Sequence, residues 1–377
     1  MRILVAPDSF GGTLSAVQAA EAIAEGWIRS APADQILTRP LSDGGPGFVH
    51  VLDSVLDGRL LPVQVPDPLG RMVPATVLRV GATAYVESAQ AAGLHLLGPA
   101  DRDPLRTTSY GVGVMLAAAV ETGARRAVVG LGGSGTNDAG AGMLAALGVL
   151  PLDAAGAALP YGGAALLGLD RMEGAPRLRG IDLIAASDVD NPLVGEQGAS
   201  AVFGPQKGAS PDDVALLDTA LARWARVAER DLPGAPVGLA GLPGGGAAGG
   251  MGAALLALGG GRRSGIDLVR EAVGLDAAVD GADLVLTGEG SFDSQSLRGK
   301  VAAGVARVAA DRGRDCLVLA GQVTLGEPEL AGLPAVGVRA AYSVAEHAGS
   351  VRAAMSDPAE RLAALAADVA AEWSHRR

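Results

Sequence analysis

The chain has 377 residues, 49% of them hydrophobic, which is too long for one ordinary compact core and suits two domains. Its net charge of −11 repels nucleic acid and anionic membrane, so neither is an expected partner. The single cysteine, Cys316, excludes a disulfide framework within the chain, and no apolar run reaches the ~20 residues of a membrane span.

In chain order, short apolar runs alternate with helical patterns, the mark of an α/β protein. Residues 2–7 read as a strand that opens the chain directly, without a signal peptide, so a cytoplasmic location is expected. Residues 16–29 form an amphipathic helix with Ala16, Ala19, Ala20, Ile23 and Trp27 on one face. A strand at 36–41 runs into Ser42-Asp43-Gly44-Gly45. Residues 60–87 hold three short runs with Pro and Gly breaks, in the style of antiparallel strands. A helix at 110–122 precedes the strand 127–130, a glycine loop and a helix at 139–147. The strand 182–186, the long helix 211–230 and the glycine block 243–252 before a helical run 253–258 follow. The last third returns to βαβ patterning, with strands at 283–287 and 316–320 and helices at 301–312 and 358–373. Two similar ends around a different middle predict a discontinuous domain of 1–65 plus 283–377, and an inserted α/β domain of 66–282.

Composition adds a second clue. Aromatics are only 3%, so the cores must be built from Ala, Val and Leu. The 56 glycines exceed the usual share of roughly 7%. They cluster between apolar runs, where backbone approaches a ligand or another backbone closely.

The P-loop pattern is absent, because Gly299-Lys300 is followed by Val301 and position 294 is Ser. Gly130-Leu-Gly132-Gly-Ser-Gly135 matches G-x-G-x-x-G, with Asp153 18 residues beyond it. That is the pattern of a dinucleotide fingerprint. Its continuation, Ser134-Gly135-Thr136-Asn137-Asp138, suits phosphate at a helix start equally, or plain helix capping. Asp188-Val-Asp190-Asn191-Pro192 follows a strand, where two carboxylates suit Mg²⁺ or a catalytic base, or form an Asx-turn. Of 30 cationic residues only Lys207 and Lys300 are lysines, both beside glycine, where a compact charge suits a phosphate. Gly244-Gly245-Gly246-Ala-Ala-Gly249-Gly250 offers backbone N–H groups for phosphates, or close helix packing. Asp8, Asp43, Asp188, Asp190, Glu289 and Asp293 all lie in motif loops, most directly after strands, a convergence expected of a metal-dependent site. The histidines, His50, His95, His347 and His375, lack metal-ligand spacing.

Seven segments, in order along the chain, resemble the bacterial class I glycerate kinase family. They are Ala6-Pro-Asp8-Ser9-Phe10, Ser42-Asp43-Gly-Gly45, Gly132-Gly-Ser-Gly-Thr-Asn-Asp138, Asp188-Val-Asp-Asn-Pro-Leu193, Phe203-Gly-Pro-Gln-Lys207-Gly-Ala209, Gly246-Ala-Ala-Gly-Gly-Met-Gly252, and Gly288-Glu289-Gly290 with Asp293-Ser-Gln-Ser296 and Gly299-Lys300. The resemblance implies two α/β domains around a cleft, one of them flavodoxin-like (Rossmann-like). It also implies transfer of the ATP γ-phosphoryl group to a glycerate hydroxyl with Mg²⁺.

Carried onto this sequence, it places Asp188, Asp190, Lys207 and Lys300 in catalysis, with Asp188 the preferred base. Asp8, Ser9, Asp43, Gly44, Gly45, Gly132, Gly133, Ser134, Gly135, Thr136, Asn137, Asp138, Asn191, Gly245 and Gly246 become substrate or phosphate contacts. Asp188, Asp190, Glu289 and Asp293 become metal ligands. The expected partner is a small hydroxy acid, and a homodimer is one assembly open to the chain. Four positions depart from the family's pattern: Gly11 and Tyr110 stand where it has Lys and Arg, and Pro46 and Ser291 where it has Glu and Arg. Arg102, Arg106 or Arg298 would then grip the glycerate carboxylate. The alternatives are a kinase for another small hydroxy acid or polyol, a nicotinamide-dependent oxidoreductase using Gly130–Gly135, and a non-catalytic ligand sensor.

Overall fold

The structure, a computed structural model, describes residues 1–178, 180–294, 296–298 and 301–374. The strands of its two larger sheets are, in chain order, β1 (Arg2–Val5), β2 (Gln35–Thr38), β3 (Arg59–Pro66), β4 (Met72–Val80), β5 (Thr83–Glu87), β6 (Arg126–Gly130), β7 (Asp182–Ala186), β8 (Gly261–Arg263), β9 (Leu284–Thr287), β10 (Asp315–Ala320) and β11 (Ala340–Ser343). The chain divides into two compact units. The first is Met1–Asp43, His50–Leu56 and Ile266–Arg377; the second is Gly44–Val49 and Asp57–Gly265. Sequence reasoning draws the divisions instead at 65/66 and 282/283. The difference at the first boundary is β3, which pairs antiparallel with β4 from Arg59↔Arg79 to Pro66↔Met72 and so lies in the second unit's sheet.

In the first unit the sheet order is β11-β10-β9-β1-β2, and every pairing is parallel. Counted by appearance within the unit, that is 2-1-3-4-5, the flavodoxin-like order, with the direction of winding reversing between β1 and β9. Parallel strands need crossover helices on both faces, so their residues are apolar throughout. All four residues of β9 are buried accordingly. Cys316 lies buried in β10, where burial pushes its thiol up to about 12. The helix Ala16–Ser30 begins with a capping box between Ser15 and Gln18. It buries Ile23 and Trp27, and the Trp27 indole donates to Asp34 Oδ2 at 2.9 Å.

In the second unit the sheet order is β8-β7-β6-β5-β4-β3. Here β3, β4 and β5 are antiparallel, as their Pro and Gly breaks suggest, but β5 then pairs in parallel with β6. The pairings of β6 with β7 and of β7 with β8 are parallel too. Ser210 and Asp213 form a capping box that starts the helix Pro211–Asp231, which buries Leu217, Leu221 and Trp224. Among the described residues no helix is long and apolar enough to cross a membrane.

Gly26 lets two helices of the first unit meet. A Cβ on it would lie 2.0 Å from the Ala363 carbonyl oxygen, in the helix Pro358–Trp373. Gly26→Ala should therefore destabilise the protein by about 1–3 kcal/mol in urea unfolding, despite alanine's better helix propensity. An unchanged or raised midpoint would contradict this packing.

Candidate active site

In the second unit, the loops after β5, β6 and β7 leave the carboxyl ends of neighbouring parallel strands, the edge where open α/β sheets bind ligands. The β6 loop is shaped by close backbone contact. Gly132 N–H donates to the Gly44 carbonyl at 3.1 Å, and a Cβ on Gly132 would lie 2.4 Å from Gly45 Cα. A Cβ on Gly249 would lie 2.0 Å from the Thr136 oxygen. Gly245 N–H donates to Leu242 and Gly246 N–H to Asn191, at 3.0 and 2.9 Å. The glycine block thus fastens loops to one another, and the N–H groups of Gly132, Gly245 and Gly246 are committed to protein carbonyls. Gly135 N–H is likewise taken, by the Ala92 carbonyl at 2.7 Å.

Beyond the glycines the β6 loop turns inward. Thr136, Asn137 and Asp138 are buried. The Asp138 carboxylate accepts from Ser109 N–H and Oγ–H at 2.8 and 2.9 Å, and from Gly140 and Gly142 N–H at 3.1 and 3.2 Å. Burial pushes its pKa up against those bonds. Asn137 Nδ2 donates to Ser200 Oγ at 2.9 Å. Two buried atoms, Thr136 Oγ1 and Asn137 Oδ1, have no hydrogen-bond partner among the described residues. Lys207 is buried too, donating to Ser134 Oγ at 3.0 Å and the Thr136 carbonyl at 2.7 Å. Its desolvation lowers it to about 7, opposed by the nearby Asp138 charge. The structure places Lys207 behind the loop as its anchor. Lys300 lies outside the described residues.

The β7 loop presents its acids to solvent. Asp188 is exposed and accepts from Ser264 Oγ at 2.6 Å. Asp190 is 80% exposed and pairs with Arg262 at 2.5 Å. Asn191 Nδ2 donates to the Gln197 carbonyl at 2.8 Å. Arg102 and Arg106 are exposed and form no ion pair among the described residues. Between Arg106 and the β6 loop, Thr107 Oγ1 donates to the Gly135 carbonyl at 3.0 Å. Tyr110 packs against Tyr161 with ring centroids 5.2 Å apart and ring planes tilted by 59°, and Pro46 covers Gly133.

Sequence reasoning missed Glu87, at the end of β5. It is buried and accepts from Gly47 and Val49 N–H at 3.1 Å each, fixing the Gly44-Gly45 turn. Ser109 and Arg262 were missed as well. The hydroxyl run Thr107-Thr108-Ser109 and the strand-end position of Glu87 were the available signals.

In the first unit, Asp8 and Ser9 follow β1, Asp43 lies beyond β2, and Glu289 and Asp293 follow β9. Burial first, then the charges of Asp43 and Glu289, push the Asp8 carboxyl up to about 7. Asp8 Oδ1 accepts from Ser9 N–H at 2.7 Å. Asp293 Oδ1 accepts from Ser296 N–H at 3.0 Å, making a turn. Ser9, Glu289 and Asp293 line a cavity of about 430 Å³, with Gly11 and Ser291 also on its wall. Crowded carboxylates fit a divalent cation, which would relieve their repulsion. Within neither unit, among the described residues, do three His, Cys, Asp or Glu side chains converge to hold a metal. A Mg²⁺ ion bound here would be held by one or two carboxylates, with water and phosphate completing its shell.

Lys207 gives this geometry a pH signature. Its folded pKa is about 7 against an ordinary 10.5, so between those values the unfolded chain holds the extra proton. The cost of burying the ammonium is present in full below 7, and stability should climb as pH rises from about 7 to about 10. In Lys207→Met that climb should flatten in urea titrations, whereas parallel curves would contradict the assignment.

Comparison with known proteins bears on the whole chain. The glycerate kinase family profile matches residues 3–374. An uncharacterised protein of Mycobacterium bovis is 47% identical over 98% of this chain and 91% of its own. The glycerate 2-kinase of Escherichia coli is 40% identical over 98% and 97%. A crystal structure of a Salmonella typhimurium LT2 protein assigned as glycerate kinase 2 aligns with a TM-score of 0.83 and 41% identity, covering 99% and 98%. The chain belongs to the glycerate kinase family and is an enzyme of the kinase class.

Proposed function

We propose that the chain transfers the γ-phosphoryl group of ATP to a hydroxyl of glycerate, with Mg²⁺. The observation that carries this is the family match over residues 3–374. Phosphoryl transfer is mainly positioning and charge neutralisation, and each unit, taken by itself, carries groups suited to it. Asp188 takes the proton of the attacking hydroxyl; it is exposed, and Ser264 Oγ at 2.6 Å orients it. Arg106 and Arg102 hold the glycerate carboxylate, on a segment tied to Gly135 through Thr107. Ser134, steadied by Lys207, and the exposed Gly133 contact the transferred phosphate, with Lys300 as a further cation. Glu289 and Asp8 would hold Mg²⁺, with Asp43 and Asp293 adding negative charge nearby. When bound, the ion neutralises charge on the phosphate oxygens. Asp190 is occupied with Arg262, which leaves it a supporting role.

A second reading, a kinase for another small hydroxy acid, draws on Tyr110. Its ring packs, tilted, against Tyr161 where the family resemblance leads one to expect an arginine.

The test is ADP release from ATP and Mg²⁺ with a panel of hydroxy acids. Glycerate should be turned over best, and turnover of another acid alone would favour the second reading. No ADP with any acceptor would overturn both. Asp188→Asn should lower kcat by about 10²–10⁴-fold with the fold intact, as expected for loss of a general base. Unchanged turnover would remove Asp188 from the mechanism. Arg106→Ala should raise the glycerate KM by an amount worth about 2 kcal/mol or more. Equal KM values would place the carboxylate elsewhere.

A further inference from the structure

The turn between β3 and β4 carries an arginine whose side-chain bonds mostly lead away from the turn. Asp67 is buried, 2% exposed, and shapes the turn itself: its Oδ1 accepts from Leu69 N–H at 2.8 Å and from Arg71 N–H at 3.0 Å. Asp67 Oδ2 accepts from Arg71 Nε at 2.6 Å, which holds the guanidinium by one edge. The two terminal nitrogens reach elsewhere. Nη2 donates to the Leu96 carbonyl at 3.1 Å and Nη1 to Asp101 Oδ2 at 3.2 Å, 25 and 30 residues along the chain. A rigid planar fork can hold three such acceptors at once, and a lysine ammonium cannot match that spacing.

The segment that Arg71 reaches has little else to fix it. Residues 97–109 contain one short turn of helix, Pro99–Asp101, and no strand. Its own bonds are local, such as Asp101 N–H to Gly98 and Thr107 N–H to Asp103. Among the described residues, the two bonds from Arg71 are the only hydrogen bonds that join residues 95–104 to a distant part of the chain. Backbone packing adds one contact, since a Cβ on Gly208 would lie 2.3 Å from the Arg102 carbonyl oxygen. Farther on, Thr107 Oγ1 holds the Gly135 carbonyl, and Thr108 N–H returns to the same turn at the Pro68 carbonyl, 3.0 Å away. The two exposed arginines sit beside these pins: Arg102 follows Asp101, and Arg106 precedes Thr107. Arg71 is 52% exposed, and an exposed ion pair like the one with Asp101 adds little to global stability. What it supplies is position, and a guanidinium set in place before the ligand arrives binds it at lower entropic cost.

We propose that Arg71, held by Asp67, is a positioning residue for the acceptor: it fixes the segment 96–102 so that Arg102 stands ready for the acceptor carboxylate. This rests on the assignment of Arg102 to that carboxylate, and the experiment separates the two. Arg71→Lys, Arg102→Ala and their combination are made in the full-length protein. Arg71→Lys keeps a cation beside buried Asp67, so its thermal midpoint should match the parent's. Amide hydrogen exchange over 96–104, without ligand, should be about tenfold faster in Arg71→Lys. Glycerate, titrated calorimetrically without ATP, should bind about tenfold or more weaker, and its KM should rise alike. The ATP KM and kcat should stay within about twofold. In the Arg102→Ala background, Arg71→Lys should weaken glycerate binding by less than about twofold further, because its effect passes through Arg102. Unchanged exchange, an equal rise in both KM values, or a full additional loss in that background overturns the proposal. Failure of the carboxylate assignment reads differently: Arg102→Ala then binds glycerate like the parent, and faster exchange in Arg71→Lys supports the clamp while overturning that assignment.

Discussion

In the second unit, everything at the strand ends depends on backbones meeting closer than any side chain permits. Gly132 lies on Gly45, Gly249 on Thr136 and Gly246 on Pro192, each at a distance a Cβ would violate. Four loops are thereby fastened to one another: the Gly44-Gly45 turn, the β6 loop, the β7 loop and the glycine block. The abundant glycines follow from this contact more than from a cradle of open N–H groups, because several of those groups already donate to protein carbonyls. Buried polar ties complete the assembly: Asp138 to Ser109, Asn137 to Ser200, Lys207 to Ser134 and Glu87 to Gly47. Each such bond, once formed in a dry interior, is costly to lose.

Electrostatics divides between the two units. The first gathers acids at its strand ends, at the expense of desolvating Asp8 near Asp43 and Glu289. The second offers exposed arginines at 102 and 106 beside the Gly135 loop. For a protein of net charge −11, local cations of this kind are what an anionic acceptor needs. Acid crowding in the first unit has the converse meaning, since mutual repulsion of carboxylates favours a cation beside them.

Much of this was legible in the sequence where local pattern decides. The buried parallel strands show as short apolar runs, and β7 falls at the residues expected of it, 182–186. Ser210-Pro211 with Asp213 marks the start of the helix Pro211–Asp231 because capping is a local interaction. Side-chain direction was not legible. Nothing in the string Ser134-Gly-Thr-Asn-Asp138 says that Asn137 and Asp138 face inward, and a lysine beside glycine at 207 gives no sign that its ammonium is buried. Those facts depend on partners 29 to 73 residues away. The first domain boundary also escaped, because β3 can be assigned to a sheet only through its partner β4.

Phosphorus NMR of ATP, Mg²⁺ and glycerate incubated with the protein tests the central claim most directly. The account predicts loss of the ATP γ-resonance, equal growth of ADP, and a new phosphomonoester signal coupled to a glycerate proton. The position of that proton identifies the hydroxyl used. ATP consumed only to ADP and inorganic phosphate, or not consumed at all, would contradict it.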